Sequence, residues 1–312
     1  MDKKNKIYVA GHKGLVGSAL VRQLSEQGYE NIVVRSHKEL DLTDKMGVLE
    51  FFREEKPDYI FLAAAKVGGI NANNKYPADF IYQNLQIQNN VIHTAYVHGV
   101  KKLIFLGSSC IYPRECAQPI KEEYLLSGYL EPTNEAYAVA KIAGIKLCQS
   151  FNRQYGTNFI SVMPTNLYGP NDSFDLMNSH VLPALISKFH NAKIKDISFV
   201  ELWGDGSPMR EFLYVDDMAD ACIYLMNNYD SGEIINIGTG KDISIKELAE
   251  MIKAVTGYNG ELRWNTDMPN GTPRKLLDVG KLTGLGWRYK VELYEGIART
   301  YEWYKSNEAL LR

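Results

Sequence analysis

Ile7-Tyr8-Val9-Ala10-Gly11-His12-Lys13-Gly14-Leu15-Val16-Gly17 is the stretch on which the fold turns. A β-prone run, Ile7 to Ala10, leads straight into glycines at 11, 14 and 17, and a helix-length segment from Leu15 to Glu26 follows. Glycines placed between a strand and a helix let backbone approach a pyrophosphate, and the helix N-terminus then faces that charge. The spacing is GxxGxxG rather than GxGxxG, and a tight strand-to-helix turn without a ligand uses the same glycines. The surrounding pattern settles the architecture. Asn31 to Arg35, Tyr59 to Ala65, Lys102 to Gly107 and Asn158 to Met163 read as strands, alternating with helices at Met46 to Glu54, Ala78 to His98 and Glu135 to Tyr155. Such alternation predicts an α/β protein built on a doubly wound parallel sheet.

After Met163-Pro164 the pattern loosens into turns, Tyr168-Gly169-Pro170-Asn171-Asp172 and Gly204-Asp205-Gly206-Ser207-Pro208, of the kind that bind ligands more often than they build cores. Phe212 to Met226 then reads as a strand entering a helix and Ile234 to Ile237 as a strand. Ser244 to Val255 reads as a helix with Ser244 and Glu247 in a capping box. The chain thus returns to the sheet before ending in a smaller lobe. Its 312 residues, 45% apolar and 23% charged, exclude a peptide module and a disordered chain. Charges of 35 and 37 give a net −2, which offers no footprint for a nucleic-acid backbone. No apolar run approaches the ~20 residues of a membrane helix, and the first residues enter a strand pattern without a signal-peptide core. A cytoplasmic protein is expected. Cys110, Cys116, Cys148 and Cys222 form no CxxC, so neither a metal site nor a disulfide framework is expected.

At the end of the second strand, where an NAD site would offer Asp or Glu, stands Arg35-Ser36-His37-Lys38, which predicts NADP. Lys13 and Arg35 would reach a 2′-phosphate; Arg35 and Lys38 read equally as surface cations. Asp41 and Leu42 are candidates for the adenine. Tyr137 and Lys141 lie one helical turn apart, and a phenol of pKa about 10 needs such a cation to exchange protons near neutrality. The same spacing recurs at Tyr301 and Lys305, but only the first pair follows a strand ending in Ser108. Ser108, Tyr137 and Lys141 form a candidate proton relay. Taken singly, Cys110 reads as a small buried side chain and His180 as a structural or surface imidazole.

These residues occur with Ala63-Ala64-Ala65-Lys66-Val67-Gly68-Gly69-Ile70, Gly107-Ser108-Ser109-Cys110-Ile111-Tyr112-Pro113 and Pro164-Thr165-Asn166-Leu167-Tyr168-Gly169-Pro170. Asn178-Ser179-His180 and Met209-Arg210-Glu211-Phe212-Leu213-Tyr214-Val215-Asp216-Asp217 complete the set. On them the sequence resembles, nearly end to end, the extended short-chain dehydrogenases/reductases. Within that family it is similar to the enzymes that epimerise GDP-4-keto-6-deoxy-D-mannose at C3 and C5 and reduce it at C4 to GDP-L-fucose. The resemblance implies a Rossmann-type domain over 1–166 and 214–240, interleaved with a GDP-sugar-binding domain over 167–213 and 241–312. It also implies a homodimer joined through the two long helices.

By the same resemblance Ser108, Tyr137 and Lys141 serve reduction, and Cys110 and His180 serve epimerisation. NADPH would lie along Gly11 to Gly17, Arg35, Asp41, Leu42, Ala64, Gly107, Ser108, Lys141, Pro164, Thr165, Asn166, Leu167 and His180. The GDP-sugar would meet Asn166, Lys188, Trp203, Arg210 and Asp278. Without the resemblance, Arg210 and Lys188 read equally as surface ion pairs and Trp203 as a core indole. Many family members carry a second arginine where this chain has His37. A 4,6-dehydratase would present Asp-Glu where this chain has Ser109-Cys110, and a 4-epimerase would need neither Cys110 nor His180. Two alternatives stay open: the same chemistry on GDP-4-keto-3,6-dideoxymannose or GDP-4-keto-6-deoxyheptose, and a non-catalytic NADPH sensor.

Overall fold

Ile7 and Val9 point to one side of the first strand and Tyr8 and Ala10 to the other, and all four are fully or almost fully buried. A strand covered on both faces belongs inside a parallel sheet flanked by helices. The computed structural model, which describes residues 1–175, 179–268 and 270–311, has that architecture. In chain order the elements begin with β1 (Lys6–Ala10), α1 (Leu15–Glu26), β2 (Asn31–Val33), α2 (Lys45–Glu55), β3 (Tyr59–Leu62), α3 (Ile70–Lys75) and α4 (Pro77–Val97). Next come β4 (Lys102–Leu106), α5 (Glu135–Tyr155), β5 (Phe159–Pro164), β6 (Asn166–Tyr168), α6 (Val181–Ile194), β7 (Phe199–Trp203) and β8 (Met209–Tyr214). The chain ends with α7 (Val215–Asn228), β9 (Ile235–Ile237), β10 (Asp242–Ser244), α8 (Ile245–Thr256), β11 (Glu261–Asn265), β12 (Arg274–Lys275), α9 (Gly280–Gly284) and α10 (Leu293–Leu311).

Six parallel strands form the main sheet in the order β2-β1-β3-β4-β5-β9. On one face Ile7, Phe61, Ile104 and Val162 pack against Leu20 of α1 and Met218 and Leu225 of α7. On the other, Tyr8, Ile60, Phe105 and Phe159 pack against Phe52 of α2, Val91 of α4 and Ile145 of α5. Each large side chain so buried contributes roughly 1.5–3 kcal/mol. A third core joins α6, α8 and α10 to two small sheets through Leu182, Phe189, Val200, Phe212, Leu248, Ile252 and Tyr301. The capping box expected on α8 is present, with Ser244 Oγ accepting from Glu247 N–H at 3.1 Å and Glu247 Oε2 accepting from Ser244 N–H at 3.1 Å. Leu277, Leu282 and Trp287, expected to belong with the C-terminal unit, pack into the two cores of the main sheet.

Three strands stop short of their sequence-based ends: β2 at Val33, β3 at Leu62 and β4 at Leu106. Their C-terminal residues peel away, leaving single ties such as Gly107 N–H to Val162 O at 2.8 Å and Ala63 N–H to Ala10 O at 3.1 Å. The splayed ends open the crevice in which ligands bind in this architecture. Gly144 sets how closely α5 lies on β4, because a Cβ there would come within 2.5 Å of the Phe105 ring. The second YxxxK pair belongs to the third core. Tyr301 hydroxyl is 3.0 Å from His190 Nδ1 and Lys305 pairs with Glu302 at 2.8 Å, so this pair builds helix packing rather than a second relay.

Candidate active site

Gly11 has φ +86°, the left-handed region that favours glycine, and a Cβ there would come 2.8 Å from Ala64 N. A Cβ on Gly17 would overlap the Gly11 carbonyl. The turn closes through Gly14 N–H to Gly11 O at 3.0 Å. Gly14, the N-cap of α1, provides no side-chain cap, and the first turn of α1 holds no carboxylate. First-turn N–H groups at Leu15, Val16 and Gly17 therefore face outward as an anion cradle, with His12 and Lys13 at its rim. These residues fit a dinucleotide diphosphate.

Arg35 lies partly exposed beyond β2, paired with Glu55 of α2 and 5.4 Å over the Phe51 ring. Glu55 thus holds the guanidinium, a contact not visible in the sequence because the rotation of α2 was not. Asp41 accepts from Thr43 N–H at 2.9 Å and Thr43 O–H at 2.8 Å, which hold its carboxyl below the usual range and commit it to its own turn. His37 Nε2 stands 3.7 Å from Asp41 Oδ1.

Lys141 reaches from α5 to the end of β4, where its ammonium donates to Leu106 O at 2.7 Å and lies 5.7 Å over the Tyr137 ring. It is buried, and desolvation brings its pKa down from 10.5 to about 8. Burial, with Cys110 nearby, pushes the Tyr137 phenol up, so the hydroxyl keeps its proton at neutral pH. Phe80 of α4 meets the Tyr137 ring edge-on at 6.3 Å. Ser108 Oγ accepts from Cys110 N–H at 3.3 Å at the start of a 3-10 turn, Ser109–Ile111. That turn packs against α5, so strand-end serine, thiol, phenol and ammonium come together.

Cys110 is 9% exposed. Burial pushes its thiol up, and the Lys275 ammonium, the Ser108 contact and Lys141 pull it back down, in that order. His180 is the N-cap of α6, and desolvation and then Lys275 hold it below the ordinary imidazole range. Lys275 was not singled out from the sequence. It lies in no motif, and only the pairing of β12 with β8, Lys275 beside Arg210, brings it here. Asn178, quoted with His180, lies outside the described residues.

Arg210 donates to Met209 O at 2.8 Å and pairs with no carboxylate among the described residues. Burial alone lowers its pKa. Gly271 adjoins it, with φ +77°. Lys188 donates to Glu201 O, and Trp203, at 64% exposure, is an open indole rather than a core one. Thr165 Oγ1 and Asn166 Nδ2 donate to Glu211 O at 3.3 and 2.8 Å, beyond Pro164, while Leu167 packs on the first core. Asp278 turns Oδ1 to its own loop, accepting from Gly280 N–H at 2.8 Å. Leu42 is buried in the second core and Ala64 half-buried beside Gly11.

Residues 7–238 match the model of the NAD dependent epimerase/dehydratase family. GDP-L-fucose synthase 1 of Arabidopsis thaliana is 61% identical over 98% of this chain and 95% of its own. Among solved structures, a GDP-6-OMe-4-keto-L-xylo-heptose reductase from Campylobacter jejuni is 45% identical with TM-score 0.93, covering 98% of this chain and 99% of that one. A GDP-L-fucose synthetase from Naegleria fowleri bound to NADP is 29% identical with TM-score 0.92, covering 99% and 96%.

Proposed function

This chain belongs to the NAD dependent epimerase/dehydratase family, and we propose that it converts GDP-4-keto-6-deoxy-D-mannose to GDP-L-fucose by 3,5-epimerisation and NADPH-dependent 4-reduction. The observation that carries this reading is a buried thiol, Cys110, on the same turn as Ser108 and against the helix of Tyr137 and Lys141. A carboxylate pair there would suit elimination; a thiol suits proton removal beside a ketone.

The C4 ketone acidifies the hydrogens on C3 and C5, because either loss leaves an enolate with its charge on the C4 oxygen. Ser108 and Tyr137 donate hydrogen bonds to that oxygen. Cys110 takes the proton from one face and His180 returns one to the other, inverting the carbon. The Lys275 ammonium favours the thiolate that this step requires. When bound, NADPH supplies the hydride that reduces C4. Tyr137 then gives its proton to the oxygen, with Lys141 beside it as the charge that favours that transfer. Arg210 holds the diphosphate bidentately, Lys188 adds a point charge, and Trp203 offers a stacking face to the guanine. The test is NADPH consumption with GDP-4-keto-6-deoxy-D-mannose followed by product NMR. Formation of GDP-L-fucose is expected; binding of NADPH without turnover would mark a sensor and overturn the reading.

The 45% identity to a heptose reductase favours a second reading, the same relay acting on a GDP-linked ketoheptose. A panel of both sugars decides it by the ratio of kcat/KM. The division into 1–166 with 214–240 and 167–213 with 241–312 gives the cofactor to the first unit and the GDP part of the sugar to the second, except that Leu277, Leu282 and Trp287 pack with the first unit. A cytoplasmic homodimer fits this role. Exposed Tyr82 and Val97 on α4, and Val139 and Tyr155 on α5, supply an apolar seam, and a monomer in sedimentation velocity would exclude it.

NADPH preference rests on Arg35 and Lys13. Arg35→Glu is expected to cut the NADPH-over-NADH ratio of kcat/KM by roughly 10- to 150-fold, since removing a charge-assisted contact and adding repulsion costs about 1.5–3 kcal/mol. An unchanged ratio would place the 2′-phosphate elsewhere. Reduction is also expected to slow as pH rises through about 8, because Lys141 then loses the proton whose charge makes Tyr137 the better acid. A flat pH–rate profile on pre-epimerised sugar would exclude that role.

A further inference from the structure

Glu211 is a carboxylate with no exposed surface, and no cation pairs with it among the described residues. Main-chain donors satisfy it instead. Oε1 accepts from Thr239 N–H at 2.6 Å and Gly240 N–H at 2.7 Å, and Oε2 accepts from Leu277 N–H at 3.0 Å. The carbonyl of the same residue accepts from Thr165 Oγ1 and Asn166 Nδ2. Three passages of the chain between the main sheet and the third core therefore converge on one residue: 165–166 leaving β5, 239–240 leaving β9, and 277 following β12. The fit is close. Gly238 faces Oε1 so tightly that a Cβ would fall inside van der Waals contact.

Two of these passages, and Glu211 itself, adjoin residues of the substrate side. Arg210 is the preceding residue, Asn166 hangs from the Glu211 carbonyl, and Lys275 is paired with Arg210 two residues before Leu277. The pins continue, with Leu276 N–H donating to Gln118 Oε1 at 2.9 Å and Ile120 N–H to Leu276 O at 2.7 Å. None of these bonds touches the glycine cradle of Gly11 to Gly17. We propose that Glu211 is a positioning residue whose carboxylate fixes Arg210 and Lys275 in register for the GDP-sugar, while the bonds of its carbonyl to Thr165 and Asn166, on the NADPH path, and the glycine cradle do not depend on that carboxylate. Uncharged replacement breaks the arrangement specifically, because the amide of a glutamine must turn N–H groups toward at least one of the backbone donors that the carboxylate accepts.

This inference rests on the GDP-sugar reading, so its test uses GDP and NADPH as separate probes, by titration calorimetry on the full chain. Glu211→Gln is expected to raise the Kd for GDP tenfold or more and KM for the sugar in parallel, with the Kd for NADPH within twofold of wild type. Gly238→Ala presses on the same oxygen from the other side and is expected to give the same pattern; if Glu211→Gln does not fold, it decides alone. Equal weakening of GDP and NADPH would make Glu211 a general stabilising residue and overturn the inference. If wild type binds GDP and the variants bind it within twofold, only this inference fails. If wild type binds NADPH but not GDP, the functional reading fails and takes this inference with it.

Discussion

Tyr137→Phe is expected to slow C4 reduction by roughly 10²- to 10⁴-fold, the span associated with loss of a general acid. Phenylalanine keeps the ring and its edge contact with Phe80 at 6.3 Å, so the helix should hold its place. Only the hydroxyl goes, and with it the proton that the C4 oxygen needs. Ser108 remains to hydrogen-bond the same oxygen, so solvent deuterium should still enter C3 and C5. NADPH consumption on pre-epimerised sugar and deuterium incorporation on the ketosugar separate the two steps. Exchange lost as completely as reduction would show that Tyr137 is indispensable to both.

Cys110→Ser is expected to reverse the pattern, cutting deuterium entry at C3 and C5 by about 10²- to 10⁴-fold while reduction of pre-epimerised sugar survives. The substitution is nearly isosteric at a buried position, and the N–H of residue 110 still reaches Ser108 Oγ. What changes is acidity, since a thiol titrates near 8.5 in water whereas an alcohol keeps its proton, and Lys275 cannot offset that difference. Deuterium exchange at the wild-type rate would remove Cys110 from the mechanism and leave His180 without its partner.

The main sheet was legible because its strands carry buried residues on both faces and its helices have recognisable ends. Ser244 and Glu247 show how local such a signal can be: four residues of sequence specify a capping box that the folded chain reproduces. Ser108, Tyr137 and Lys141 were legible for the same reason, since strand end and helix face fix where each side chain emerges. Lys275 and Glu211 were not. Lys275 gains its place from the pairing of β12 with β8, and Glu211 from the turns at 239–240 and 277 that reach its carboxylate, segments distant in sequence whose short strands carry no periodicity of their own. Glu55, which holds Arg35, was hidden likewise, because the sequence places α2 but not its rotation about its axis. Trp203 reads from its residue type equally as a core indole and as a nucleoside contact; β7 pairs in a two-stranded sheet and leaves that indole in solvent, which removes the core alternative.

The strand order has a consequence for synthesis. β5 ends at Pro164, but its outer neighbour β9 does not end until Ile237, so 237 − 164 = 73 residues separate the two. At translation rates of about 5–20 residues per second the ribosome spends roughly 4–15 s between them. Throughout that interval the nascent sheet leaves bare the edge at Val162–Pro164 that β9 covers in the finished protein, on a strand whose side chains are buried along its whole length. This is the window in which a chaperone holding the growing polypeptide has most to protect.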